Sequence, residues 1–115
     1  ALFWLAKSYL KNREWDNAVD TMRKSVEMEP SNATYHLWLG RCYGARADNR
    51  FPLFAYGDAK HLLEEFKLAR ELAPKDIGIR FDLMEFYAQA PGIAGGDEEK
   101  AWAEAEAIAQ LDPAA

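Results

Sequence analysis

The chain has 115 residues, half of them apolar and 29% charged, with a formal net charge of −5. That balance excludes a disordered tail and suits one domain that buries roughly two thirds of the surface its unfolded form exposes. The charge is concentrated from Asp97 onward, where Asp97, Glu98, Glu99, Glu104, Glu106 and Asp112 face Lys100 alone, an arrangement that reads as a solvated helix face. No basic stripe is available to displace counterions from a phosphate backbone, which disfavours nucleic acid as a partner.

Cys42 is the only cysteine, so an internal disulfide and a cysteine zinc cluster are both excluded, and it reads as a small core residue. No apolar run approaches the ~20 residues of a bilayer span and no signal segment opens the chain. No membrane span is therefore expected, and the compartment stays open between cytoplasm and export. Opening at Ala1 inside a helical pattern, without Met, the sequence reads as an excised or processed fragment, with further repeats before Ala1 or after Ala115 left open.

Apolar spacing of three and four residues predicts helices near 1–11, 15–28, 32–47, 52–72, 76–89 and 97–110, as in Val19, Met22 and Val26 of the second and Leu62, Phe66 and Ala69 of the fourth. Asn32, Asp76 and Asp97 are suited to cap the helices that follow them, and Glu98 and Glu99 favour the positive end of the last dipole. Pro30, Pro74 and Pro113 end the second, fourth and sixth helices by removing a backbone donor and disfavouring helix in the preceding residue. No segment alternates with period two for long enough to form a strand.

The prolines also mark a repeat. Twelve residues separate Ala18 from Pro30, Leu62 from Pro74 and Ala101 from Pro113, and thirteen separate Pro30 from Tyr43 and Pro74 from Tyr87. Only the step from Tyr9, Tyr43 and Tyr87 to the next anchor varies, at nine, nineteen and fourteen residues. Without the two excesses the period is 34. That period, with Leu5-Ala6, Leu39-Gly40 or Leu83-Met84 ahead of each tyrosine, resembles the tetratricopeptide repeat (TPR).

The resemblance covers nearly the whole chain and implies an all-α, right-handed superhelical stack of three antiparallel helix hairpins. The chain is then one TPR-like domain, 1–115, with repeats at approximately 1–30, 31–74 and 75–113. Ala6 and Gly40 are small where the two helices of a hairpin meet. Met84 breaks that rule, so the third hairpin is expected to splay or shift. Trp15 stands at a hairpin turn where the family favours an aromatic, and Trp4, Trp38 and Trp102 are expected to fill the stack.

The first excess, of ten residues, surrounds Gly44 to Pro52 and lengthens both helices of the second hairpin, with Pro52 suited to a first helical position and Gly57 inside a helix. Phe51, Leu53, Phe54 and Tyr56 make this extension aromatic for a turn. They form either a second contact site or packing against the adjacent hairpin. The second excess, Ala90 to Gly96 (Ala-Pro-Gly-Ile-Ala-Gly-Gly), is a turn that re-aims the last helix. It lacks the Lys-Ser/Thr of a phosphate loop, and Asp97 and Glu98 repel phosphate. Together with the aromatic extension, this loop is similar to that of a group of bacterial TPR proteins of unassigned function.

Catalytic chemistry has little to stand on. His36 and His61 lie on different helices without metal-ligand spacing beside them, Ser8, Ser25 and Ser31 lack nucleophile-elbow glycines, and Glu64-Glu65 and Glu98-Glu99 diverge around their helices. No enzyme activity, metal or cofactor is expected. The resemblance implies instead a protein-protein interaction module, an adaptor or scaffold, with a concave groove lined by the first helix of each hairpin.

Carried over by position, the groove residues are Phe3, Lys7, Leu37, Arg41, Phe81 and Glu85, with Thr34, Asp82 and Gln89 nearby. The alternative for each is plain exposure or contact with a neighbouring helix. Where chaperone-tail binders of this family carry Lys, Asn, Asn, Lys and Arg, this chain has Phe3, Lys7, Trp38, Gly78 and Asp82, which argues against a carboxylate clamp. Lys7 and Arg41 remain suited to an acidic group on a partner. The alternative function is a self-assembling repeat protein or a subunit of a larger complex, joined through terminal helices; the outer side carrying Trp102 and Ile108 is uncovered if the chain ends at Ala115, and a missing repeat covers it if the chain is a fragment.

Overall fold

The computed structural model describes residues 1–113 and contains six α-helices: α1 (Leu2–Lys11), α2 (Trp15–Met28), α3 (Ala33–Asp48), α4 (Pro52–Leu72), α5 (Ile77–Gln89) and α6 (Glu98–Leu111). A single 3₁₀ turn, Gly92–Ala94, precedes α6. The boundaries agree with the expected ones to within a residue. Side chains set the starts: Asn32 accepts from the Tyr35 amide, Asp76 from Ile79 and Asp97 from Lys100, each at 3.1 Å.

Neighbouring helices pair as α1 with α2, α3 with α4 and α5 with α6, and α2 against α3 and α4 against α5 join the hairpins into one stack. The core runs through the whole stack, from Ala6, Ala18, Val19 and Met22 through Leu39, Cys42, Tyr43, Leu62 and Phe66 to Leu83, Tyr87 and Ala101. Gly40 lies where any side chain would collide with the ring of Phe66, 2.4 Å from an added Cβ. The third hairpin does not splay around Met84, since α5 and α6 pack as extensively as α1 and α2. The position in register with Phe66 is Ala105, so the large and small partners have changed sides, and Met84 is half-buried against the core.

The ten-residue excess is unevenly shared. α4 has 21 residues against 14 in α2 and in α6, two extra turns, while α3 has 16 against 13 in α5, about one. Asp58, 2% exposed, fastens the extension: Arg46 donates to it at 2.9 Å, and both Arg46 and Arg50 also reach Asp16 of α2. Burial works against the charge on Arg46, yet its hydrogen bond to Asp58 prevails and its pKa is raised.

The acidic end is not uniformly a solvated face. Glu104 is 4% exposed and accepts from Arg70 of α4 and from Arg80 of α5, the latter at 2.9 Å. Two of the four tryptophans are not stack fillers: Trp4 and Trp102 are 64% and 65% exposed. Each sits on a terminal helix, where no neighbouring hairpin of the described chain covers the outer side.

Candidate interaction site

Five of the predicted groove residues, Phe3, Lys7, Leu37, Arg41 and Asp82, come together along α1, α3 and α5. Phe3 stacks on Tyr35 with ring centroids 4.9 Å apart and meets Trp38 edge-on at 6.3 Å. The Lys7 ammonium lies 4.6 Å from the Trp4 ring centroid and 4.4 Å from that of Trp38. The Arg41 guanidinium is 4.8 Å from the Trp38 ring as well. Trp38 is thus approached by two cations, each contact worth about 0.5–1 kcal/mol at exposed sites. Leu37 is half-buried against the core behind this row.

The row crosses to the third hairpin through an ion pair, in which Arg41 Nε donates to Asp82 Oδ2 at 2.7 Å. Two groove residues expected to face a partner therefore neutralise each other, whereas Lys7 makes no ion pair among the described residues. Phe81 is exposed beside Asp82, and Thr34 and Glu85 are exposed on the same helices without joining the row. Gln89 lies elsewhere, at the hairpin tips.

There the two insertions meet. Gly44, Ala47 and Asp48 of α3, Pro52, Ala55 and Tyr56 of α4, and Pro91, Ile93 and Ala94 of the Ala90–Gly96 loop line one cleft of about 520 Å³, with Phe86 and Gln89 of α5 between them. The loop is held in place by its backbone. Gly96 donates to the Pro91 carbonyl and Asp97 to that of Tyr87, Gly95 takes a left-handed φ of 109°, and a Cβ on Gly96 would lie 1.8 Å from the Ala90 oxygen.

Of Phe51, Leu53, Phe54 and Tyr56, Tyr56 alone lines the cleft shared with the adjacent hairpin. Phe51 and Leu53 are 78% and 82% exposed, and Phe54 and Tyr56 are also exposed. The other three are exposed around the start of α4.

A second cleft, also about 520 Å³, is polar and lies between the turn at Arg13 to Asn17 and the α3 terminus. Its Arg46 and Arg50 are engaged by Asp16 and Asp58. Among the described residues no group of three or more His, Cys, Asp and Glu is placed to hold a metal ion, and no helix is long and apolar enough to cross a membrane. His36 and His61 serve separate contacts, His36 with Glu65 and the Pro30 carbonyl, His61 stacked on Tyr43.

Over 97% of this chain the backbone follows TTC0263, a thermophilic TPR protein of Thermus thermophilus, with a TM-score of 0.79 at 21% identity and 56% of that chain covered. The fold is TPR-like. Two MamA structures, AMB-1 and MSR-1, match with TM-scores of 0.72 and 0.70 at 24% and 23% identity, over 99% and 97% of this chain and 54% and 56% of theirs. No family model matches the sequence. A stretch of 67 residues, 56% of this chain, is 36% identical to mouse interferon-induced protein with tetratricopeptide repeats 2 but covers 14% of that protein. The chain therefore spans a small part of that relative and little more than half of each matched structure, and the structural likeness is one of fold.

Sequence reasoning located the helices of the TPR-like stack that carry the aromatic row but assigned Trp4 and Trp38 to packing. It also missed Asp48, Ala55, Phe86 and Ile93, which line the tip cleft with Gln89. The signal that pointed there was the pair of departures from the 34-residue period, both on the same side of their hairpins.

Proposed function

We propose that this chain is a protein-protein interaction module that captures an extended or helical segment of a partner along the groove formed by α1, α3 and α5. A TPR-like fold is in general a scaffold for protein interaction. The observation that carries the groove reading is the cluster Lys7, Trp38, Arg41, two cations on one tryptophan ring across two repeats, with the exposed ring of Trp4 also against Lys7. Exposed aromatic rings in fixed positions provide contact area at little entropic cost, as hot-spot residues do.

The groove is not a chaperone-type carboxylate clamp. Of its five corresponding positions only Lys7 is a cation, and Asp82 carries the opposite charge to the Arg expected there and holds Arg41. Lys7 is the position left to receive a carboxylate from the partner. Binding, not catalysis, is the role these residues suit.

The test is capture of partners from the native source with the wild-type chain, followed by titration of each against Arg41→Glu and Leu37→Ala. Weaker binding in both variants supports the groove. Unchanged binding in both removes it.

Self-assembly is a second reading, favoured by the exposed Trp4 and Trp102 on the two terminal helices, α1 and α6. Light scattering over a wide concentration range decides it, and a strict monomer removes assembly as an intrinsic property.

A further inference from the structure

We infer that the cleft where the two insertions meet is a second docking site, separate from the groove, and that it takes a partner segment with a bulky apolar side chain next to a lysine or arginine. The cleft is built by both irregularities of the repeat. The first turns of α4 and the Pro91–Ala94 segment both line it, together with Phe86 of α5. Its rim is apolar and open to solvent: Ile93 is 83% exposed and Tyr56, on α4, 49%. An exposed apolar cleft of this kind is suited to an interaction.

Charge selects the occupant. Among the described residues Asp48 is the only charged one lining the cleft, and it makes no ion pair with any of them. It is also the last residue of α3, where the helix dipole is negative and a carboxylate is unfavourably placed. The Asp48 carboxylate and the carbonyl end of the helix thus add, and together they present a negative rim to an apolar cleft. A cation on the partner relieves both, while its apolar neighbour fills the space between Tyr56, Ala55 and Ile93. A second copy of this chain is the poorer fit, because its net charge of −5 opposes the approach of like to like.

The test uses two defined probes, the blocked peptides acetyl-Gly-Lys-Phe-Leu-Lys-Gly-amide and acetyl-Gly-Glu-Phe-Leu-Glu-Gly-amide, titrated into the ¹⁵N-labelled chain. The cationic peptide is expected to shift the amides of Ala47, Asp48, Tyr56, Gln89 and Ala94, with the acidic peptide at least roughly tenfold weaker. Asp48→Lys reverses that preference, and its exposed position at a helix end leaves the fold intact. Ala55→Trp fills the cleft and abolishes the shifts for both peptides.

Equal shifts from both peptides, or no shifts at all, overturn the inference. So do shifts confined to Lys7, Leu37 and Arg41, which place the peptide in the groove and leave the groove reading standing. Concentration-dependent shifts at the cleft without peptide, with a doubled mass by light scattering, replace the partner with a second copy.

Discussion

His36 and Arg80 occupy the same position of the repeat, six residues beyond Pro30 and Pro74, and perform the same task with different chemistry. His36 Nε2 lies 2.6 Å from the Pro30 carbonyl oxygen and its Nδ1 2.7 Å from Glu65, whereas Arg80 donates from Nε to the Pro74 carbonyl at 2.8 Å and from Nη1 to Glu104 at 2.9 Å. Glu65 and Glu104 correspond as well, each three residues beyond its anchor, Leu62 or Ala101. A side chain on the first helix thus ties the preceding turn to the second helix. The first repeat has Leu2 and Thr21 at these places and lacks the clasp.

Removing the clasp leaves a carboxylate in poor solvent contact. Arg80→Met and His36→Phe are each expected to lower unfolding free energy by about 2 kcal/mol, the scale of a hydrogen bond to a charged group. His36→Arg, which imports the residue of the third repeat, is expected to retain most of it. Urea denaturation of the three variants measures this, and equal losses for His36→Arg and His36→Phe would show that the positions are not interchangeable.

Two glycines make an opposed pair. Gly40 faces the Phe66 ring with no room for a Cβ, whereas Gly57 has open space around it in mid-helix. Gly40→Ala is expected to destabilise by about 1–3 kcal/mol through overpacking. Gly57→Ala is expected to stabilise by up to about 1 kcal/mol, because alanine loses less backbone entropy on entering a helix. Thermal melts should separate the two variants in opposite directions from the wild type, Gly57→Ala rising by about 4 °C.

Alkaline pH should weaken the fold through its buried acids. Burial pushes the Cys42 thiol up to about 12 from its usual 9.0, and it also raises the phenols of Tyr43 and Tyr87. The folded chain keeps these protons where the unfolded chain gives them up. Their stabilisation is therefore full below about pH 9 and is lost between pH 9 and 12, at up to about 1.4 kcal/mol per pH unit for the thiol alone. Urea midpoints at pH 8, 9.5 and 10.5 should fall in that order, and alkylation of Cys42 at pH 8 should proceed only with denaturant present. Rapid labelling of the native chain would show that α3 opens.

The period, the helix ends and the caps were legible because prolines and capping side chains act within a few residues of themselves. The lengthened hairpin was legible for the same reason, as an excess between fixed anchors. What the sequence concealed were pairings across the stack. Glu104 read as one acid of a solvated run because its partners Arg70 and Arg80 lie 34 and 24 residues away. Trp4 and Trp102 read as fillers because burial of a helix face depends on whether another hairpin follows. The tip cleft was hidden because Tyr56 and Ile93 approach it from separate insertions, which no periodicity connects.

The groove makes its own prediction through the Arg41–Asp82 pair. Arg41 is half-exposed and its carboxylate partner more buried, so the pair contributes at most about 1 kcal/mol to stability. Its larger effect is on the field in the groove, because Asp82 cancels a cation that stands 4.8 Å from the Trp38 ring, beside Lys7. Asp82→Asn releases that cation at little cost to the fold. Two unneutralised positive groups then flank Trp38, and an acidic peptide such as acetyl-Gly-Glu-Phe-Glu-Gly-amide is expected to bind severalfold more tightly than to the wild type, with the gain lost in high salt. Tryptophan fluorescence reports the event at the ring itself. A variant that binds this peptide no better than the wild type, at the same thermal stability, would show that Arg41 is turned toward its own stack and that Lys7 alone sets the charge of the groove.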